Sequence, residues 1–530
     1  MQSPESNEPR ESWAGPGLTD PEDSIPAVST PDTSVVMPRR PRTRARSVPV
    51  GHRSSDLAAA ANRPENELRT PADPEGFPCD SDFPQLMIAT NPALMLQMFR
   101  SYLKPISGDD YDIQDCEPYR FRCRQSKDRC VMQYTLRIVD KRTGRWWDQA
   151  VTGLLYPENG KAERLLREML ASHPRRSVPN GWLAFEPVGL IPELHMLIEI
   201  FPYDRRLPNL GSAIGDTPRE LDPILLPRLG PGRWRVERRS VEPARYRTER
   251  GAALIYTMRA RDALSSRSET LRCYLKVYRD EHGAETWQFL RSLSRRPEED
   301  RRPYSVVRPI AYFDELRTLA IEEAPGQPLN EILLQDEDPV ETVRLVARAV
   351  VAFNTDDLPV TRHESLAVRM GQFRHASRLA QWVYPPGRDA IQGILATVDE
   401  GLTESTEAPI HGDMKPDHVF VSGDRVTFID MDSIVLGDPL RDPAYLVAHL
   451  ASRAGLDSMP EAQARGLADA VAEEYFRFAP ASWRKRFALQ CAGAFIEVAV
   501  AIFRRQERGW QGRVARIIDL AQETLQASVQ

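Results

Sequence analysis

Lysine is scarce in this sequence. Of 70 basic residues only seven are lysines, at positions 104, 127, 141, 161, 276, 415 and 485. A chain that has drifted so far toward arginine keeps a lysine by chance or by need, so each one is worth placing. Cysteine is sparse too, six in 530 residues, and the spacing of Cys116, Cys123 and Cys130 matches no common zinc pattern. The opening is acidic and Pro-rich, not basic and then apolar, so no secretion signal is read and all six are expected as thiols. Long hydrophobic runs are missing. The best stretch, Phe487 to Phe503, is interrupted by Gln490 and Glu497. It falls short of the ~20 residues a membrane span needs and predicts a buried helix. No excess of positive charge is present: the formal net charge is −6 and the pI about 6.0. A nucleic-acid binder usually shows a basic domain. The expectation is a cytoplasmic protein with neither a nucleic-acid nor a membrane partner.

What is there suggests several units. At about 150 residues per domain, 530 residues make roughly two to four. Residues 1–78 are rich in Pro, Ser, Glu and Arg, cannot bury enough apolar surface to offset ordering, and are expected as a disordered tail. The basic stretch from Arg39 to Arg53 lies inside it and reads as patchy charge on that tail.

An internal repeat then appears at a constant offset of 122 residues. Tyr134, Thr135, Arg137 and Asp140 meet Tyr256, Thr257, Arg259 and Asp262. Tyr156 meets Tyr278, Ala162 and Glu163 meet Ala284 and Glu285, and Pro187 meets Pro309. The register holds without a gap from about 134 to 207, which predicts a duplicated domain. Each copy reads as alternating strands, a helix with apolar residues at helical spacing, further strands and a hinge-like segment. After about residue 338 the pattern changes to long amphipathic helices, broken only by a hairpin at 419–430.

The chemistry is concentrated in residues 410–432, IHGDMKPDHVFVSGDRVTFIDMD. Phosphoryl transfer needs a carboxylate to orient the acceptor, a second to hold metal, and positive charge on the phosphates. Asp413 suits the first role, as a base toward a substrate hydroxyl. Asp430, at the end of the hairpin's second strand, suits the second, because Mg²⁺ prefers oxygen ligands. Lys415 is placed to stabilise charge on the transferring group.

This stretch resembles the catalytic loop of the aminoglycoside phosphotransferase and choline kinase family, which is protein-kinase-like. Members carry His-x-Asp, an Asn five residues after that Asp, and a later Ile-Asp on a strand. The resemblance, over roughly 236–525, implies an α+β, bilobal protein-kinase-like fold with a duplicated N-lobe-like module in front. It implies ATP and Mg²⁺ as cofactors and a small-molecule acceptor such as an amino sugar, a sugar or an amino alcohol. The corresponding units are 79–235, an N-lobe-like repeat; 236–328, the kinase N-lobe; and 329–530, the helical C-lobe. Lys276 and Glu285 look like the family's strand lysine and helix glutamate. Gly251 is the only glycine where a phosphate loop is expected, with Arg247 or Arg250 as compensating charge. Glu322, Glu323 and Ala324 sit where a hinge would meet adenine. Asp438 and Asp442 read as structural.

Two features depart from the pattern. His418 stands where the family has Asn, and imidazole is a poor Mg²⁺ ligand; Asp432 is a candidate replacement. In the first copy the position of Lys276 is Leu154, and no second His-Gly-Asp loop follows. That copy is therefore expected to be a structural or acceptor-binding module. The alternative for the whole chain is a pseudokinase or nucleotide-binding regulatory module.

Overall fold

The computed structural model describes residues 77–529, apart from 79, 107–109, 124–127, 180, 216, 297–301, 337, 455–458 and 507–508. The expected tail, its basic stretch and Cys79 lie outside these. The five described cysteines are free thiols.

Strands β1 (Tyr111–Cys123), β2 (Cys130–Asp140), β3 (Arg145–Leu155), β4 (Val188–Ile191) and β5 (Met196–Ile200) form a sheet in the order β1-β2-β3-β5-β4. Helix α1 (Pro92–Tyr102) precedes it, and α2 (Lys161–Ala171) links β3 to β4. Two short helices, α3 (Leu210–Gly215) and α4 (Thr217–Leu225), then lead into a second sheet. Its strands are β6 (Trp234–Arg247), β7 (Gly251–Asp262), β8 (Ser268–Tyr278), β10 (Pro309–Phe313) and β11 (Thr318–Glu322). Helix α5 (His282–Ser294) sits between β8 and a short strand β9 (Tyr304–Val306). The second sheet runs β6-β7-β8-β11-β10, the order of the first one. Every matched strand and helix of the second copy begins and ends within two residues of a 122-residue displacement from its counterpart. Every pairing within the two sheets is antiparallel.

The two sheets share a core. Val131, Leu154 and Leu197 of the first pack in one cluster with Leu254, Tyr256, Cys273 and Leu275 of the second, bridged by Leu210 and Leu221. Leu154, the counterpart of Lys276, is fully buried there. An apolar side chain at that position gives the first copy a packing surface in place of a charge, and burial of such a side chain stabilises by roughly 1.5–3 kcal/mol.

The C-terminal half begins with the two-residue strand β12 (Gln327–Pro328) and helices α6 (Leu329–Gln335), α7 (Val340–Asn354), α8 (Leu366–Val383) and α9 (Arg388–Gly401). Strands β13 (Ala408–Ile410), β14 (Val419–Ser422), β15 (Arg425–Phe428) and β16 (Val435–Gly437) follow. Helices α10 (Arg441–Ala451), α11 (Glu461–Phe478), α12 (Phe487–Arg504) and α13 (Trp510–Val529) complete the lobe. The hairpin β14–β15 is as expected, and β15 also pairs in parallel with β9, tying the lobes together. Ala481–Arg504 is long and apolar enough to cross a membrane, and most of it is buried inside the protein.

The first module also reaches this lobe. Phe121 of β1 stacks on Trp382 of α8 with ring centroids 6.2 Å apart and meets Phe503 of α12 at 5.6 Å. Trp382 also meets Phe503 directly, with ring centroids 5.7 Å apart, so the three rings form one contact.

Candidate active site

The loop between β13 and β14 is held from beneath by Asp442 at the start of α10. Its carboxylate accepts the backbone N–H groups of His411 at 2.7 Å and Gly412 at 2.9 Å, and the Asn354 amide at 3.0 Å. Gly412 has φ +78°, and a Cβ there would lie 2.5 Å from the Ser433 carbonyl, so glycine is required. Asp430 also adopts the left-handed region, φ 63°, a strained conformation for a non-glycine residue that clusters at functional sites.

Asp413 is 1% exposed, and its Oδ2 accepts a hydrogen bond from Lys415 Nζ at 2.7 Å. Burial pushes the Asp413 carboxyl above its usual range, opposed by Lys415. Burial pushes the Lys415 ammonium down to about 8 against the attraction of Asp413. A carboxylate moved toward neutral pH is better matched to accepting a hydroxyl proton.

Lys276, on β8, donates to Asp430 at 2.5 Å and to Asp432 at 2.6 Å. Burial works against its charge, but the two carboxylates outweigh it and hold Lys276 well above its ordinary value. Burial likewise opposes ionisation of Asp430, yet Lys276 above all, with Arg247, holds it well below the usual carboxylate range. The expected Lys276–Glu285 pair does not form. Glu285 is exposed and lies 3.5 Å from His282 and 3.8 Å from Arg362. Asp432 takes its place: besides Lys276 it accepts from Tyr278 at 2.8 Å and Thr286 at 3.2 Å, while its carbonyl accepts from Arg362 at 2.7 Å. Asp432 thus joins α5 and β8 to the C-lobe. With three side-chain donors already on its carboxylate, its role here is that latch, not the free metal ligand considered from sequence.

His418 lies between the two acids. Its Nδ1 is 3.0 Å from the Asp413 carbonyl and its Nε2 is 3.2 Å from Asp430 Oδ2. Burial, then Lys415, hold the ring well below its ordinary pKa, so it is neutral. A neutral imidazole carries one N–H and here faces two oxygen acceptors. With Nδ1–H donated to the carbonyl, the Nε2 lone pair points at the Asp430 carboxylate. A cation between them would complete that arrangement. Ligand atoms of Asp413, His418 and Asp430 lie within 4.8 Å of one another. The residues present therefore fit a divalent cation with a mixed nitrogen and oxygen donor set, which would neutralise phosphate charge there.

The β6–β7 turn, where a phosphate loop is expected from the sequence, departs from a glycine-rich cradle. Gly251 pairs with Arg247 at the base of the β6–β7 turn, and a Cβ on it would meet the Val277 carbonyl at 2.8 Å. The turn is pinned by the first module. Asp204 accepts from the Glu249 N–H at 2.7 Å and from Tyr246 at 2.8 Å, and Glu249 pairs with Arg122 at 3.0 Å and with Arg129. Arg245 and Arg247 leave β6 on one face, as alternate residues do. Burial, then Arg247, push Arg245 down to about 9, offset by Asp430, Asp413 and Asp417. Their proximity to the acids supplies the charge a glycine loop does not. At the hinge, the Glu322 N–H is donated to the Arg308 carbonyl at 2.9 Å, so that N–H is not available to adenine. The Glu322 side chain pairs with Arg228, and Glu323 pairs with Arg272 at 3.2 Å. Ala324 follows Glu323 just beyond the end of β11.

A lysine and a metal-type aspartate on opposite lobes, with a buried Asp–Lys pair beside them, is the arrangement the loop motif implies. Residues 268–485 match the model of the phosphotransferase enzyme family. The matched phosphotransferase segment contains Lys276, Asp413, Lys415 and Asp430, and leaves out the first module and the β6–β7 turn. Its sheet, helix and helical lobe make two lobes, with Lys276 on one and Asp413, Lys415 and Asp430 on the other. No curated protein matches the sequence significantly. Among solved structures, a choline/ethanolamine kinase family protein from Mesorhizobium loti is 12% identical, covers 51% of this chain and 88% of its own, and has a TM-score of 0.36. An ADP-bound aminoglycoside phosphotransferase is 12% identical, covers 58% of this chain and 99% of its own, and has a TM-score of 0.35.

Three residues went unnoticed in the sequence: Asp204 and Glu249, which fix the β6–β7 turn, and Thr286, which helps hold Asp432. Their signal is weak, because a lone carboxylate or hydroxyl in a strand or loop is common. Arg245 carried a faint one, repeating Arg247 at the two-residue strand period.

Proposed function

We propose that this protein transfers the γ-phosphoryl group of ATP, with Mg²⁺ or a similar divalent cation, to a hydroxyl of a small molecule in the cytoplasm. The observation that carries this reading is the convergence of buried Asp413 and Lys415 with the Lys276–Asp430 pair beneath the arginines of β6. In it Asp413 accepts the acceptor's proton, Lys415 stays on the transferring oxygens, and Lys276 holds the donor's phosphates once nucleotide draws it from the acids. The division into 79–235, 236–328 and 329–530 belongs to the same reading, with the first unit as a non-nucleotide module.

The experiment is nucleotide consumption by the full chain against a panel of amino-sugar, sugar, amino-alcohol and phosphorylated acceptors, beside Asp413→Asn. Acceptor-dependent turnover that falls ~10²-fold or more in the variant, the scale of a lost general base, supports the proposal. A pseudokinase is the second reading, favoured by His418 at the position of the family's Asn. Nucleotide binding that ignores divalent cation, with no turnover on any acceptor, would replace the first reading by the second.

A further inference from the structure

Strand β1 ends at Cys123 and β2 begins at Cys130, and the two are register partners across the hairpin. Residues directly opposite in an antiparallel pair have Cα atoms roughly 4.5–5.5 Å apart, within the roughly 4.4–6.8 Å that a disulfide spans. Cys130 Sγ lies 3.0 Å from Cys123 Sγ, and both are thiols here.

The other described cysteines are placed differently. Cys116 stands opposite Leu136, Cys273 lies between Tyr256 and Glu322 of its neighbouring strands, and Cys491 is in α12. All three are buried, and burial pushes their thiols up, Cys273 to about 12. The thiolate is the reactive form, so these three are poorly suited to oxidation. Within the pair, Cys130 is fully buried and Cys123 partly exposed, so an oxidant reaches Cys123 first.

The pair sits at a junction. Side chains alternate along β1, so Cys123 shares a face with Phe121, which packs on Trp382 and Phe503 of the helical lobe. Arg122 leaves on the opposite face and holds Glu249 of the β6–β7 turn at 3.0 Å, and Arg129 pairs with the same carboxylate. Each arginine directly precedes one of the two cysteines. A bond between Cys123 and Cys130 would therefore fix the spacing of both groups that grip the turn.

We propose that Cys123 and Cys130 are a redox modification site that closes to a disulfide under peroxide and tightens the first module's hold on the β6–β7 turn. The Cys123 thiolate attacks one peroxide oxygen, the O–O bond breaks and Cys123 becomes a sulfenic acid. The Cys130 sulfur then attacks Cys123 Sγ, the S–S bond forms and the sulfenic oxygen leaves as water. In sum, two thiols give up two protons and two electrons, and one peroxide becomes two waters. In a reducing cytoplasm, the compartment proposed for this protein, such a bond is transient, so it acts as a signal and not as a permanent staple.

The full chain can be treated with hydrogen peroxide, its remaining thiols alkylated, and an unreduced digest read by mass spectrometry. The expected product is a peptide pair linked through Cys123 and Cys130. The thiol count of the denatured protein should fall by two from six, and dithiothreitol should restore it. Cys123→Ser should abolish the link and leave Cys130 unoxidised. Cys130→Ser should leave a sulfenic acid on Cys123 that dimedone traps. The untreated natural chain serves as its own control, so the test stands even where a substitution impairs folding. An unchanged thiol count, a sulfinic acid on Cys123 without a linked pair, or a link to another cysteine would overturn the site. Hydrogen exchange around Glu249 should slow in the oxidised chain and recover on reduction. Unchanged or faster exchange there overturns the hold on the turn. No nucleotide or acceptor enters these measurements, so their failure is distinct from failure of the phosphotransferase reading.

Discussion

Lys276 and Asp432 lie 2.6 Å apart although 156 residues separate them. The strand lysine of the small lobe is thereby neutralised by the large lobe, through the aspartate two residues beyond Asp430. The helix glutamate at the expected position, Glu285, faces solvent.

That relationship separates two substitutions. Asp432→Ala removes the shared acceptor of Lys276, Tyr278 and Thr286 and leaves those donors without it, at about 1–3 kcal/mol. A lowered melting temperature and at least a tenfold loss of turnover are expected. Glu285→Ala should change stability by no more than about 0.5 kcal/mol, as exposed positions do. Equal effects in thermal melts and nucleotide titrations would refute the substitution of one partner for the other.

Lys415 sets a pH limit. Its folded pKa, about 8, is below the ordinary lysine value, and the role proposed for it in transfer requires its charge. Activity therefore falls as pH rises through about 8. The profile of kcat/KM reports the free enzyme and should show this basic limb. Lys415→Arg should move the limb beyond the measured range, since arginine stays charged. The sign for stability is the reverse: the folded state binds fewer protons than the unfolded one between about 8 and 10.4, so stability rises with pH across that window.

His418→Asn tests the cation site. Replacing imidazole nitrogen by an amide oxygen should favour Mg²⁺ over Co²⁺ or Mn²⁺ in supporting turnover, because Mg²⁺ prefers oxygen and the later metals accept nitrogen. Metal-activation curves for both proteins give the answer. An unchanged metal preference would remove His418 from the coordination shell.

Leu154→Lys asks whether the first module is a lapsed nucleotide lobe or a packing module. Restoring the lysine buries an ammonium among the apolar side chains of the shared core. A loss of about 3–5 kcal/mol is expected, in the range of an uncompensated buried charge. Thermal unfolding measures it. New nucleotide binding by that module would contradict the expectation.

The parts legible in the sequence are those written locally. The loop from His411 to Asp430 keeps its chemical groups within twenty residues, so residue types and spacing suffice to read it. The duplication was legible because strand and helix periods depend on neighbours a few residues away, and its register is preserved in both copies. Unread at that level were the antiparallel order of each sheet and the extra pairing of β15 with β9, since strand partners are chosen by the way layers pack.

The sequence by itself determined where the reactive groups lie along the chain, that two copies of one lobe exist, and that the first lacks the lysine. Only the tertiary structure decided which carboxylate meets Lys276, what holds the β6–β7 turn, and that the first module reaches the helical lobe. The reason is physical. Periodicity and motif spacing record interactions within one element. An ion pair over 156 residues, or a turn of one module held by another, exists only once the packing of Phe121 on Trp382 and of Leu154 among the second sheet's side chains has brought those surfaces together.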